Sequence, residues 1–198
     1  MLFMRVFISV LIFVFCFQSW TKANDISEFE IEGFSIGDSL LDYFSLDEIK
    51  SNTIADYKSK KIVRFLPYKK SVNLKQYDAV NFHYKSKNYE VSEISGAILY
   101  DDDLDACETK MKSIISDLQV SLIGFKKIDQ GTRSFNEIDS SGESKVTGII
   151  FEDEDKGVIH FACYRYSEKV KNELDWTDSL RISLTSKEFI DWLDNEAY

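Results

Sequence analysis

Residues 6–17 form an apolar run broken only by Ser9, preceded by Arg5 and followed by a polar stretch that ends in Ala23. A charged start, a short apolar run and a small residue suited to a signal-peptidase cut are the parts of a secretory signal peptide. The run is about twelve residues, short of the roughly 20 that cross a membrane. Residues 1–23 are therefore expected to leave on export, with cleavage after Ala23; a retained N-terminal anchor is the alternative. Cys16 follows Phe15, not the small residue that a lipoprotein cleavage site would need.

Residues 24–198 read as a single domain. Phe29 and Ile31 alternate with Glu28, Glu30 and Glu32, which predicts a short strand. Asp38 or Ser39 can cap a short helix through Leu40, Leu41 and Phe44, and Ser45-Leu46-Asp47-Glu48 is a capping box that opens another. Residues 62–66 suit a strand that Pro67 ends or places at a sheet edge. Val80, Phe82 and Tyr84 predict the next strand, with a turn at residues 85–88. On the return, Tyr89 and Val91 differ in parity from Ile94, Ile98 and Tyr100, which predicts a bulge near Glu93.

Residues 101–122 carry the strongest helical period. Leu104, Cys107, Met111, Ile114, Ile115, Leu118 and Leu122 share one face, aspartates crowd the N-terminus and Gly124 is placed to stop the helix. The Gly- and Ser-rich residues 131–144 fit either a loop or a hairpin. A second hairpin follows at residues 146–152 and 158–166, joined by the charged turn 153–157. Leu180, Ile182 and Leu184 predict a last strand, and residues 185–188 cap a C-terminal helix carrying Phe189, Trp192 and Leu193. The expected fold is α+β, mainly an antiparallel sheet of hairpins with one long amphipathic helix packed on one face.

Composition adds limits. Hydrophobic residues make up 44% and charged residues 29%, with one Pro, which excludes disorder. The formal net charge is −10; without Arg5 and Lys22, 22 basic residues face 34 acidic ones, so the mature chain stands at −12. Nucleic acid is excluded as a partner, because its affinity comes from Lys and Arg on phosphates. Two cysteines remain after export, and in an oxidising compartment they are expected to form one disulfide, Cys107 to Cys163. Cys107 lies in the helix stripe and Cys163 on the strand face of Ile159 and Phe161, so both point into one interface.

Candidate chemistry is sparse. Gly33-Phe34-Ser35-Ile36-Gly37 matches the G-x-S-x-G nucleophile elbow, yet only His83 and His160 could serve Ser35 as a base. Asp153, Asp155 and Gly157 begin like a calcium loop without its later ligands. Two histidines and no spare thiol leave a zinc site short of ligands, so no catalytic residue, metal or cofactor is assigned. One stretch breaks the acidic trend: Lys58, Lys60, Lys61, Arg64, Lys69 and Lys70 lie among aromatic residues with no acid between them. They are the candidate interaction surface for an envelope protein or an anionic surface, the alternatives being pairing with the acidic residues 25–56 or guarding a sheet edge.

Residues 31–41, Ile-Glu-Gly-Phe-Ser-Ile-Gly-Asp-Ser-Leu-Leu, resemble the opening of small exported bacterial domains, among them the SmpA/OmlA-like domains and the inhibitor-like domains of β-lactamase inhibitory proteins. The resemblance covers about a dozen residues and carries over no functional residue. It implies helices packed on an antiparallel sheet and a role as an envelope-assembly accessory or protein-binding module. The chain departs from those families in lacking a lipobox and in placing a long helix between its two best hairpins. The expected function is a non-enzymatic exported, periplasmic module that binds a protein or the envelope and meets the membrane only through its signal peptide; the alternatives are a small hydrolase using Ser35 and a calcium- or small-molecule-binding module.

Overall fold

The computed structural model describes residues 25–100, 103–136 and 138–198. The expected signal peptide lies outside them, as do Asp101 and Asp102 at the expected helix start. Ten strands are described: β1 (Glu30–Ile31), β2 (Phe34–Ser35), β3 (Thr53–Ile54), β4 (Ile62–Phe65), β5 (Ala79–Lys85), β6 (Val91–Leu99), β7 (Lys126–Ser134), β8 (Lys145–Asp153), β9 (Gly157–Arg165) and β10 (Ser179–Ser186). The α-helices are α1 (Leu46–Ser51), α2 (Leu104–Asp117), α3 (Glu168–Leu174) and α4 (Lys187–Asn195).

Eight strands form one antiparallel sheet in the order β3-β4-β5-β6-β10-β9-β8-β7. The hairpins β4–β5–β6 and β7–β8–β9 make two halves, and β10 joins them by pairing with β6 on one side and β9 on the other. Leu180, Ile182 and Leu184 of β10 then continue one apolar row from Ile94 of β6 to Cys163, Phe161 and Ile159 of β9. The expected bulge is present: His83 pairs with Glu93 and Tyr84 with Val91, so Ser92 is the extra residue that flips the side-chain parity.

One face of the sheet carries the main core. Phe65, Phe82, Ile94, Phe161 and Leu180 are fully buried there, and α2 seals it with Cys107 and Met111. The N-terminal segment covers the rest, Phe34 meeting Phe82 at 5.0 Å and Phe44 meeting Phe65 at 4.9 Å. Gly96 makes that approach possible, because a Cβ there would lie 2.6 Å from the Tyr77 ring and 3.0 Å from Ile31. The disulfide Cys107–Cys163 ties α2 to β9, with the Cα atoms 6.0 Å apart.

The α+β class and the antiparallel sheet match expectation, whereas the long helix does not form. The longest described helix, α2, has 14 residues, starting where Asp103 Oδ1 accepts the Ala106 N–H and ending near Leu118. Past that point the chain turns repeatedly up to Gly124, at φ +105°. The turns bring Leu122 and Phe125 into the core, where Phe125 packs edge-on against Phe29 at 5.9 Å. A continued helix would have carried Phe125 away from that contact. Ser39, Ser45 and Ser186 each cap a following helical turn as their sequence positions indicate. Of residues 131–144, Gly131 to Ser134 end β7, and the Phe135 N–H donates to the Ser144 carbonyl just before β8 begins.

On the other face α4 covers only one end. Phe189, Trp192, Ile62 and Ala197 form a small separate cluster there, with Tyr57 edge-on to Trp192 at 5.1 Å. The centre of this face, over β6, β10, β9 and β8, carries small and polar residues, and no described helix crosses it.

Candidate binding surfaces

Strand parity decides which groups can meet. His83 and His160 alternate with the core residues Phe82 and Phe161, so both point to the face opposite the main core, whereas β2 packs Phe34 onto Phe82. Ser35 is thus cut off from both histidines by the sheet. Its setting is not a strand-to-helix elbow either. Glu32 and Gly33 have φ of +56° and +83°, the two positive values of a tight hairpin turn, and Ser35 sits in the returning strand. The Ser35 N–H donates to Asp38 Oδ2 at 2.9 Å. Glu32 anchors the neighbouring loop, its carboxylate accepting the backbone N–H groups of Lys75, Gln76 and Tyr77. Burial opposes the Glu32 charge, but these bonds outweigh it and lower its pKa.

Asp153, Asp155 and Gly157 occupy the β8–β9 turn. Lys156 pairs with Asp153 at 2.9 Å and the Asp155 N–H donates to Asp153 Oδ1, so the turn is closed by its own charges. Among the described residues no group of three or more His, Cys, Asp or Glu could hold a metal ion. No described helix is long and apolar enough to cross a membrane.

The six residues of the cationic stretch lie along β4 and at its two ends. Lys58, Lys60 and Lys61 precede β4, beside the C-terminal residues: the Ser59 N–H donates to the Ala197 carbonyl and Lys61 pairs with Glu196. Lys69 and Lys70 lie beyond the other end of β4 on a short 3-10 turn, with Lys70 over the Tyr68 ring. Arg64, half-buried between them, is engaged by Asp56 at 2.8 Å, in a chain of contacts that runs on through His83 to Glu93. β4 separates the two lysine groups by its own length, and Arg64 between them is paired with Asp56.

Two other features gather functional groups. A cavity of 690 Å³ opens between α4 and the β5–β6 turn, with Ile62 and Trp192 lining it and Lys61, Lys85, Lys87 and Lys187 around it. At the opposite end of the same sheet face lies a cluster of aromatic rings and guanidinium groups. Tyr164 and Tyr166 stack at 5.9 Å, Phe135 lies 5.7 Å from Tyr164, and Trp176 is edge-on to Tyr166 at 5.1 Å. Arg181 sits 5.1 Å above the Tyr164 ring and Arg133 is 6.0 Å from Phe135. Tyr166 is buried, its hydroxyl has no hydrogen-bond partner among the described residues, and burial pushes its pKa up to about 12. The residues of this cluster span 48 positions from Arg133 to Arg181, so no local motif could have marked it; the sequence signal was the alternation of Tyr164 and Tyr166.

Next to this cluster, His160 is held low in pKa by burial and by the nearby Arg133, with Glu93 acting in the opposite sense. Its Nε2 is buried without a hydrogen bond, against the bare backbone of Gly148. A Cβ at Gly148 would lie 2.6 Å from Gln130 Oε1 and 3.2 Å from His160 Nε2, so a larger residue there would push the Gln130 side chain aside and crowd His160. No family model matches the chain, and no curated protein or solved structure matches it.

Proposed function

We propose that the protein is an exported, non-enzymatic binding module of the cell envelope that recognises a second protein through the aromatic and arginine cluster at Tyr164 and Arg181. The observation that carries this reading is the Arg181–Tyr164 stack. A guanidinium held 5.1 Å over a ring is restrained while its N–H donors stay available for a planar carboxylate. Arg181 has no carboxylate partner among the described residues, so an acidic side chain of the partner supplies the pairing group. Tyr, Trp and Arg are the residues that dominate the buried centres of protein interfaces, and four rings with two guanidinium groups meet here. An anionic membrane surface is the poorer fit, since a mature chain at −12 is repelled by it. The apolar N-terminal run and the Cys107–Cys163 bond support the exported setting.

The test uses residues 24–198 with the disulfide formed, immobilised and exposed to envelope extract of the native host, with Arg181→Glu as the comparison. The expected result is a partner whose recovery falls at least tenfold with Arg181→Glu while the melting temperature is unchanged. Equal recovery by both chains, or no specific partner, refutes the reading.

A further inference from the structure

The cavity between α4 and the β5–β6 turn lies at the other end of the sheet face from Arg181, and its lysines come from three separate parts of the chain: Lys61 before β4, Lys85 and Lys87 at the turn, and Lys187 at the start of α4. Three acids lie among them, and each already has a lysine: Glu196 pairs with Lys61, Glu188 with Lys85 at 2.6 Å, and Asp191 with Lys187. Lys87 is exposed and has no ion pair among the described residues. Lys85 is also bonded to Glu90 at 2.6 Å, so the acids and lysines balance in number, and Lys87 is the lining cation left without an acid partner among the described residues, in a chain whose net charge is −10. Ile62 and the Trp192 ring, 3% and 5% exposed, lie at its floor, and the aliphatic stems of the surrounding lysines add apolar surface above them.

We infer that this cavity is a second, independent binding site, for a small amphiphile with a single carboxylate head and an aliphatic body. Lys87 meets the carboxylate and the body lies along the lysine stems above Ile62 and Trp192. The volume, 690 Å³, falls in the range of sites that enclose one small molecule, which is about 300–1,000 Å³. The Lys61–Glu196 and Lys187–Asp191 pairs are largely exposed and hold their lysines weakly, so an arriving carboxylate draws on those cations too. Lys85 is the fixed member: burial opposes its charge, yet Glu188 and Glu90 together raise its pKa and lock it to the rim. A cationic amphiphile would place its head against Lys87 with every nearby acid already paired.

Sodium dodecanoate below its micellar concentration is the probe, titrated calorimetrically into oxidised residues 24–198. The inference expects saturable one-to-one binding, at least tenfold weakening by Lys87→Glu without a change in melting temperature, and at least tenfold weaker binding of dodecanol and dodecyltrimethylammonium. It is overturned by absence of saturable binding, by unchanged affinity in Lys87→Glu, or by equal affinity for the cationic probe. Binding to phosphatidylglycerol vesicles without binding of free dodecanoate overturns it as well, by assigning the lysines to a membrane surface. Arg181→Glu leaves this titration unchanged, which separates the outcome from that of the protein-partner reading.

Discussion

Reducing the Cys107–Cys163 bond removes a cross-link between residues 56 positions apart. On the chain-entropy relation, closing a loop of that size lowers the entropy of the unfolded chain by about 14 cal/mol/K, which is about 4 kcal/mol at 25 °C. That is a large part of the roughly 5–15 kcal/mol by which such domains are stable. The folded state has little to lose, because Cys107 and Cys163 are buried at 1% and 0% exposure and a buried thiol packs as a small apolar group. The effect therefore falls on the unfolded chain, which expands on reduction and makes the denaturant slope steeper. For a chain of this length each kcal/mol moves the melting temperature by about 2–4 °C, so reduction should lower it by about 8–16 °C. Thermal and urea melts of the oxidised chain, the reduced chain and the Cys107→Ala/Cys163→Ala chain measure this. The alanine pair should be the least stable, since it also leaves the space of two sulfurs empty. A fall of under about 3 °C in the reduced chain would refute the argument that the bond acts by restraining the unfolded state.

Three more outcomes are expected. His160 is held neutral in the folded chain by a lowered pKa, so acidification below the ordinary histidine value of about 6.5 protonates the unfolded chain first and stability falls as pH drops toward the folded value. His160→Gln should flatten that part of the melting temperature against pH, and an identical slope in both chains between about pH 7 and 5 would rule the linkage out. Gly157→Ala places a Cβ 2.2 Å from the Thr185 carbonyl oxygen at φ +124°, so the urea midpoint should fall by backbone strain of about 1–3 kcal/mol plus the collision; an unchanged midpoint would contradict it. Asp139 accepts from the hydroxyls and backbone N–H groups of Ser141 and Ser144, and these bonds hold its carboxyl well below the usual carboxylate range. Asp139→Ala should raise hydrogen exchange at Ser141 and Ser144 while β8 and β9 stay protected; unaltered exchange there would show that the aspartate does not hold the loop.

Local signals were legible where one residue type has one physical use. The serine caps, the β5–β6 bulge and the β8–β9 turn could be read because a hydroxyl beside free N–H groups, a parity change and a charged Gly turn each act within a few residues. Residues 126–134 were missed as a strand because β7 is a sheet edge, exposed along most of its length, and shows no apolar alternation. The α3 segment was missed because only Val170 of its seven residues is buried. The end of α2 was misplaced because periodicity records which residues are apolar and not whether a turn buries Leu122 and Phe125 better than a helix does.

The candidate site was less legible than the fold. The sequence by itself determined an acidic α+β domain, the alternation that builds antiparallel hairpins, and two cysteines on faces that can meet. Tertiary structure alone decided that β10 enters between β6 and β9, that Ser35 and the histidines lie on opposite sides of the sheet, and that the lysine stretch divides around β4. It also brought Arg181 onto Tyr164, and Lys61, Lys85, Lys87 and Lys187 around one cavity. The reason is that pattern acts through neighbours a few residues apart, whereas a binding surface is made by strands and turns far apart in sequence, whose order in the sheet depends on which complete pairing buries the most apolar surface.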